Sequence, residues 1–412
     1  MIPIGFLYKA GPALGLGFLL TFASCVGQTY FISMFSGEIR ADLGLSHGSF
    51  GTIYTLATLA SGFLLLWLGK AADRIDIPTL SIVTLLTLAV FAALLANSQS
   101  IVMLCVALFG LRLCGQGMLG HLSATAMARW FDKERGRALS IAALGYPAGE
   151  AIFPSLAALL LSLMTWREFW NLASLTIVSV VLPAIFVLGR LVTSSRQLKQ
   201  SSVNVFENGT TKQTSWTRGD VLRDIRFYML LPGILAPPFL ITGVLFHQVH
   251  LVKTKGWLLA DFAACYPFYA VCSITTALVC GWFVDRFGTA RLLPIYLWPM
   301  ACGLVLMALT DTLVSAALFM ALTGATAGGA SIVLGALWAE LYGTDHLGSI
   351  RALSVAFLVL STAISPALMG QLLDAGIRLE IQFMAMAAYV AVCSIIFTVL
   401  LPSLITYKLP PR

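Results

Sequence analysis

Charged side chains are scarce in this sequence: Asp, Glu, Lys and Arg make up only 10% of its 412 residues. Hydrophobic residues make up 59%, and the mean hydropathy is +0.90. Soluble domains carry about 25% charged residues, and a chain of this length with so few charges could not cover a surface exposed to water. The composition therefore excludes a soluble protein and predicts an integral membrane protein.

Sites that would indicate an enzyme, a metal or a disulfide are also missing. The eight cysteines all lie inside apolar runs, without the paired spacing of a zinc site and without a cluster in a loop. They are expected to pack between helices. The sequence contains no recognisable nucleophile–base set. We therefore expect no enzyme and no bound metal or cofactor.

What the sequence has in abundance is apolar runs of about 20 residues, the length that crosses a bilayer as a helix. Twelve such runs predict an all-α membrane protein with two six-helix bundles: an N-terminal bundle 1–191, a linker 192–224 and a C-terminal bundle 225–412. The predicted helices are 10–35, 48–69, 79–97, 100–128, 136–163, 170–191, 225–251, 262–283, 292–310, 313–341, 351–373 and 379–403.

The basic residues are distributed unevenly between the two sides of the membrane. With the N-terminus inside, the inner segments hold 19 of the 25 Lys and Arg residues and the outer segments hold 5. This bias predicts a multi-pass protein of the cell membrane with both termini in the cytoplasm. It also explains the net charge of +7 without a nucleic-acid partner. The one basic residue left over, Arg112, lies inside the fourth predicted helix.

The two halves of the chain repeat each other. Gly69-Lys-Ala-Ala-Asp73-Arg74 follows the second helix, and Gly281-Trp-Phe-Val-Asp285-Arg286 follows the eighth. A Gly-x-x-x-Asp-Arg motif in both halves of a six-plus-six layout resembles the major facilitator superfamily, over essentially the whole chain. Within it, Arg112-Leu-Cys-Gly-Gln-Gly117 and Trp130-Phe-Asp-Lys-Glu-Arg-Gly-Arg137 are similar to the monocarboxylate and oxalate/formate branch.

The resemblance implies a role for the charged residues of the repeated motif. Asp73 and Arg74, with Asp285 and Arg286 in the second half, would latch one conformation of a transporter by joining inner helix ends. The alternative interpretation is that they are ordinary solvated loop charges.

Residues Gly115-Gln-Gly117-Met-Leu-Gly120 have the letter pattern of a dinucleotide-binding loop. Such a loop needs a preceding strand and a helix that begins at the glycines. Here the glycines lie in the middle of a predicted span, where the backbone N–H groups are already bonded within the helix. The glycines are therefore expected to let helices approach closely.

Arg112 and Glu150 are the charged residues that lie deep in the predicted spans. Arg112 lies about 25 Å and Glu150 about 21 Å from the inner surface, at 1.5 Å per residue. An arginine at that depth costs about 2.5–3.5 kcal/mol on insertion scales and needs a partner or a watery cavity. Two interpretations remain open. Arg112 could attract an anionic substrate while Glu150 carries the coupled proton, or the two could form a permanent ion pair between neighbouring helices.

Polar side chains at helical spacing are further candidates. Thr21, Ser24 and Gln28 form a stripe that lines a cavity or bonds to another helix, and Pro232 and Pro237-Pro238 predict an interruption of the seventh helix. His247, near the outer end of that helix, could relay protons or serve as an ordinary anchor. The remaining candidates for the substrate site are Gln116, Tyr146, Tyr269 and Ser361.

These observations predict a monomeric secondary transporter that moves a small solute by proton-coupled alternating access, as a symporter. Arg112 favours an organic anion, although Gly324 stands where the second half would repeat the arginine. The alternative is a proton-coupled exporter of drugs or metabolites. Glu150 replaces the proline that follows glycine in the fifth helix of antiporters of this superfamily, which favours uptake. A channel is disfavoured because the internal repeat indicates rocking halves.

Overall fold

The structure, a computed structural model, describes residues 4–131, 134–197, 216–343 and 346–406. Every regular element in this part of the chain is helical. The chain divides into two compact units, one of Met1–Leu45 and Thr52–Glu207 and the other of Ser46–Gly51 and Asn208–Arg412. Of the predicted linker 192–224, residues 198–215 lie outside the described residues.

The first six membrane-crossing segments are long helices, several of them in two or three pieces. They are α1 (Ile4–Ser24), α2 (His47–Leu68), α3 (Ile77–Ala96), α4 (Ile101–Leu111, Arg112–Leu119 and Gly120–Trp130), α5 (Arg135–Ala143 and Gly145–Leu161) and α6 (Trp166–Thr176, Ile177–Val181 and Leu182–Gln197). Short helical turns at Cys25–Gly27, Thr29–Ile32, Ser33–Phe35 and Ser36–Leu43 continue α1.

The second six segments follow the same plan. They are α7 (Ile225–Phe246), α8 (Leu259–Ala263 and Tyr266–Phe287), α9 (Trp298–Leu309), α10 (Leu313–Tyr342), α11 (Leu347–Asp374) and α12 (Leu379–Thr406). Within the described residues, eleven helices are long and apolar enough to cross a membrane, and α9 is a shorter apolar helix. The twelve-helix arrangement predicted from the sequence therefore agrees with the structure.

The ninth helix begins later than predicted. The sequence predicts a helix over 292–310, but the regular α-helix starts at Trp298, after a 3₁₀ turn at Thr289–Arg291. Pro294 and Pro299 have no N–H to donate to a preceding carbonyl. The chain before Trp298 therefore forms turns.

The prolines of α7 do not interrupt it, contrary to the prediction. The helix runs continuously from Ile225 to Phe246. Pro237 cannot donate to the carbonyl of Gly233, but the hydroxyl of Tyr296 donates to that oxygen at 3.0 Å. Because a tyrosine replaces the backbone donor lost at Pro237, the helix passes this proline without a break.

Large apolar side chains are exposed on the outer faces of both units. Val102 in the first unit is 74% exposed, and Leu278 in the second is 71% exposed. Surface of this kind is unfavourable in water but matches the hydrocarbon of a bilayer. The exposure pattern therefore supports the membrane assignment made from composition.

Candidate functional site

The candidate site of the first unit is built where α1 loses its helical geometry. Cys25–Gly27 forms a 3₁₀ turn, and Gln28 is extended, with φ −81° and ψ 151°. In an α-helix the amide of Phe31 would bond the carbonyl of Gly27, but here it donates to Gln28. The break therefore leaves the Gly27 carbonyl in need of another donor inside the membrane-spanning part of the protein.

The segment of α4 that packs on this break is a π-helix, Arg112–Leu119. Gly27 and Gly115 face each other so closely that a Cβ built on Gly115 would lie 2.6 Å from the Cα of Gly27. The first glycine of the pattern that resembles a nucleotide loop thus forms a backbone-to-backbone helix contact, whereas Gly117 and Gly120 face the side chains of Leu65 and Tyr146. Short π-helical stretches are frequent at functional sites, because the extra residue per turn redirects side chains.

Arg112 supplies the donor that the broken helix lacks. Its Nη1 donates to the carbonyl of Gly27 at 3.1 Å and to Oγ1 of Thr29 at 3.2 Å. The guanidinium carbon lies 5.2 Å from the ring centroid of Tyr54, whose hydroxyl also donates to Thr29, at 2.8 Å. Arg112 is 2% exposed. It therefore joins α1, α2 and α4 around the break.

The charge of Arg112 is not neutralised by a neighbouring carboxylate. Neither Arg112 nor Glu150 takes part in an ion pair with another described residue. The Nε of Arg112 is buried and has no hydrogen-bond partner within that part of the chain. The direct ion pair that one interpretation of the sequence requires is thus not formed in this structure.

Glu150 lies on α5, half-buried. The glycine that precedes it packs against α1: a Cβ on Gly149 would lie 2.9 Å from the Cβ of Cys25. A larger residue at 149 would push α5 away from the broken helix. Gly149 therefore holds the Glu150 backbone close to the break.

The predicted polar stripe of α1 divides into two parts. Thr21 and Ser24 are buried, and their hydroxyls donate to the carbonyls of Ala142 at 2.6 Å and of Thr21 at 2.7 Å. The Thr21 bond joins α1 to α5, as one interpretation of the stripe predicts, whereas the Ser24 bond stays within α1. Gln28 is half-buried at the break, and Gln116 is half-buried in the π-helix. Tyr146 is also half-buried and lies against Gly120 of α4.

The candidates of the second unit lie at separate places. His247 is buried, with Nε2 3.0 Å from the carbonyl of Pro366. Tyr269 is half-buried and its backbone packs on Gly324 of α10. Ser361 is half-buried, and its hydroxyl donates to Leu235 at 3.5 Å. These contacts do not bring the three residues together.

The residues predicted to form latches show few contacts. The side chain of Asp73 lies outside the described residues, and Arg74 is exposed. Asp285 and Arg286 are exposed, and neither forms an ion pair with another described residue. Arg286 instead lies over Trp282, with its guanidinium carbon 5.8 Å from the ring centroid.

The sequence did not reveal a carboxylate that caps α2. Asp374, the last residue of α11, accepts hydrogen bonds from Oγ of Ser46 at 2.6 Å, the amide of His47 at 3.1 Å and the amide of Gly48 at 2.8 Å. A carboxylate at a helix N-terminus satisfies free amides and interacts favourably with the helix dipole. The only sequence signal was an aspartate next to a predicted span end.

The contact of Gly115 with Gly27 leads to a prediction. Replacing Gly115 by Ala places a methyl group against the backbone of Gly27, which cannot move aside as a side chain could. We expect this overpacking to cost about 1–3 kcal/mol, seen as a lower midpoint in thermal unfolding of the purified protein. Gly136→Ala is the control, because Gly136 lies in the first turn of its helix and nothing lies within 4 Å of a Cβ built on it. Equal midpoints for both variants would contradict the prediction.

Comparison with known families identifies the fold. The sequence profile described as Major Facilitator Superfamily matches residues 17–274, more than half of the chain. The chain belongs to the major facilitator superfamily. It is therefore a membrane transporter rather than an enzyme. A search of curated proteins found no significant match to the sequence.

Solved structures of other superfamily transporters superpose on this one. The nucleoside transporter NupG has 14% sequence identity and a TM-score of 0.69, with 97% of this chain and 100% of that chain covered. A bacterial homologue of the human lysosomal transporter Spinster has 12% identity and a TM-score of 0.67, with 98% and 99% covered. At these identities the likeness shows the shared fold alone.

Proposed function

We propose that this major facilitator protein takes up a small organic anion together with protons by alternating access. The observation that carries the proposal is the charge of Arg112, which has no carboxylate partner among the described residues. A fixed positive charge in a membrane-spanning unit favours an anion nearby. At 6 Å and an effective dielectric constant of 20, two opposite unit charges attract by about 3 kcal/mol.

In this proposal Arg112 attracts the substrate electrostatically without bonding to it, because its hydrogen bonds hold the guanidinium in the break of α1. Direct contacts with the substrate come from half-buried polar side chains near the break, namely Gln28, Gln116 and Tyr146. Thr21 and Ser24 position the helix through their bonds to carbonyls. In the second unit the proposal keeps Tyr269 and Ser361 as substrate contacts and His247 as a further proton site.

Glu150 is the proposed carrier of the coupled proton. It is a half-buried carboxyl on a helix that packs against the broken α1. The sequence predicts that it lies at nearly the same depth in the membrane as Arg112. A carboxyl that meets water in one conformation and apolar surroundings in another changes its proton affinity between them. Binding of an anion beside Arg112 and protonation of Glu150 would then bring a neutral load into the membrane.

The proposal includes the placement of the protein and its moving parts. It places the transporter in the cell membrane as a monomer with both termini in the cytoplasm, as the positive-inside bias predicts. Asp73, Arg74, Asp285 and Arg286 are inner latches in this scheme.

Uptake into proteoliposomes tests the function. Radiolabelled formate, lactate and oxalate serve as probes, each with and without an imposed pH gradient, inside alkaline. The expected result is saturable accumulation of at least one anion that disappears when a protonophore collapses the gradient. Flux that neither saturates nor depends on the gradient would indicate a channel, and extrusion of lipophilic dyes without anion accumulation would indicate the exporter.

The cap on α2 gives a prediction that needs no substrate. Asp374→Ala removes the acceptor from the amides of His47 and Gly48, and loss of a helix cap costs about 0.5–2 kcal/mol. We expect hydrogen exchange of these amides to accelerate by about threefold to thirtyfold. Asp76→Ala is the matched control, since Asp76 precedes α3 without making a side-chain capping bond. Unchanged exchange in Asp374→Ala would show that this carboxylate does not stabilise the first turn of α2.

A further inference from the structure

The second unit contains an apolar cavity that shares one lining residue, Ser361, with the proposed substrate contacts. Its volume is about 560 Å³, and it lies among α7, α11 and α12. Sites for small molecules in proteins are usually about 300–1,000 Å³. The walls are mostly apolar, with Leu235 and Phe239 on α7, Leu368 on α11 and Met386 on α12.

The cavity is long and open along one side. On α7 its lining extends from Tyr228 to Leu240, a distance of about 18 Å at 1.5 Å per residue. Tyr228, Leu368 and Tyr389 line it and are 43%, 44% and 41% exposed. These three helices are long and apolar enough to cross a membrane, where hydrocarbon chains surround them. A slot of this length and polarity fits a hydrocarbon chain.

Polar groups along the slot are already bonded to the protein. The hydroxyl of Tyr389 donates to the carbonyl of Pro232 at 2.9 Å, and the hydroxyl of Ser361 is directed to Leu235. Both hydroxyl protons are therefore already used, and the other side chains along the middle of the slot are apolar. This lining favours an apolar occupant for the stretch.

One end of the slot carries an unsatisfied acceptor. Gln382, in the first turn of α12, is 3% exposed and lines the cavity. Its Nε2 donates to the carbonyl of Ile377 at 2.9 Å, which fixes the orientation of the amide. The Oε1 is buried and has no hydrogen-bond partner within the described residues. A buried carbonyl oxygen of this kind calls for a donor on the ligand.

We infer that the slot binds one acyl chain of a membrane lipid whose headgroup carries an N–H or O–H donor, with that donor on Oε1 of Gln382. The chain lies along α7 between α11 and α12. The acceptor selects among headgroups: ethanolamine and glycerol headgroups have a donor, whereas choline has none. The inference does not depend on which solute the protein transports.

Native mass spectrometry of the full-length, delipidated protein tests the inference. The probes are phosphatidylethanolamine, phosphatidylglycerol and phosphatidylcholine with the same acyl chains. One charge-assisted hydrogen bond predicts that the protein retains phosphatidylethanolamine about tenfold more than phosphatidylcholine. Phosphatidylglycerol is expected to bind more tightly than phosphatidylcholine as well. Equal retention of phosphatidylethanolamine and phosphatidylcholine would overturn the inference.

Three variants separate the headgroup from the chain. Gln382→Leu should abolish the preference for donor headgroups while a lipid is still bound. Leu235→Trp fills the slot and should remove the bound lipid. Leu278→Trp, at a residue 71% exposed on α8, is the control and should bind lipid as the unmodified protein does. If Leu235→Trp retained the same lipid, the slot would not be the site, and this result stands even if Gln382→Leu fails to fold.

Discussion

Glu150→Gln is expected to abolish gradient-driven accumulation of the transported anion and to spare exchange of that anion across the membrane. Glutamine has nearly the size and polarity of a protonated glutamate but cannot release or bind a proton. Exchange requires both conformations to be reached with substrate bound, and this does not require deprotonation. Net uptake coupled to protons does require deprotonation of this residue. The variant should therefore separate the two activities rather than weaken both.

The measurement compares accumulation under an inside-alkaline gradient with counterflow, using the anion identified by the uptake panel. Glu168→Gln is the matched control. Glu168 accepts from the amide and hydroxyl of Thr165 at the start of α6, and glutamine also serves at this position of a capping box. The control should accumulate the anion normally. Normal accumulation in Glu150→Gln would show that the proton is carried elsewhere.

Arg112→Met is expected to lose both stability and anion accumulation. The substitution removes the donors to Gly27 and Thr29 and the contact with Tyr54. Hydrogen bonds from a charged group contribute about 1.5–3 kcal/mol each. Removal of the buried charge offsets part of the lost free energy of unfolding, since an arginine in the membrane costs about 2.5–3.5 kcal/mol. The unfolded chain in the membrane also carries that cost, so we expect a net loss of about 2–4 kcal/mol.

Arg112→Lys separates the charge from the hydrogen bonds. An ammonium keeps the positive charge but cannot reproduce the planar guanidinium that bonds Gly27 and stacks on Tyr54 together. Thermal unfolding should place this variant between the unmodified protein and Arg112→Met, and it should still accumulate the anion. Arg190→Met is the control for loss of an exposed cation–π contact, here with Phe186 at 4.4 Å. Anion accumulation by Arg112→Met at the normal rate would contradict the role of the charge.

The break in α1 shows why sequence reasoning reached Arg112 but not its contacts. A single arginine in an apolar run is recognisable because its cost in a membrane is large. Thr29 and Tyr54, which surround it, are unremarkable in the sequence. They lie 83 and 58 positions away along the chain, and only the packing of α1, α2 and α4 brings them to the guanidinium. The expected partner, Glu150, forms no ion pair with it.

The prolines of α7 show the same limit for local structure. Proline removes a backbone donor, so the sequence predicts an interrupted helix. Whether the freed carbonyl is satisfied depends on a group from elsewhere in the chain, and here Tyr296 supplies it. Asp374 likewise becomes a helix cap only because α11 ends beside the first turn of α2.

The sequence by itself determined the membrane location, the twelve-helix plan, the internal repeat and the presence of one deep arginine. These features follow from hydrophobicity, charge placement and local periodicity, which act over one helix at a time. Only the tertiary structure decided that Arg112 bonds a broken helix, that α7 stays intact and that an apolar slot lies among α7, α11 and α12. Each of these depends on which distant groups meet in space, and the side-chain pattern of a single helix does not contain that information.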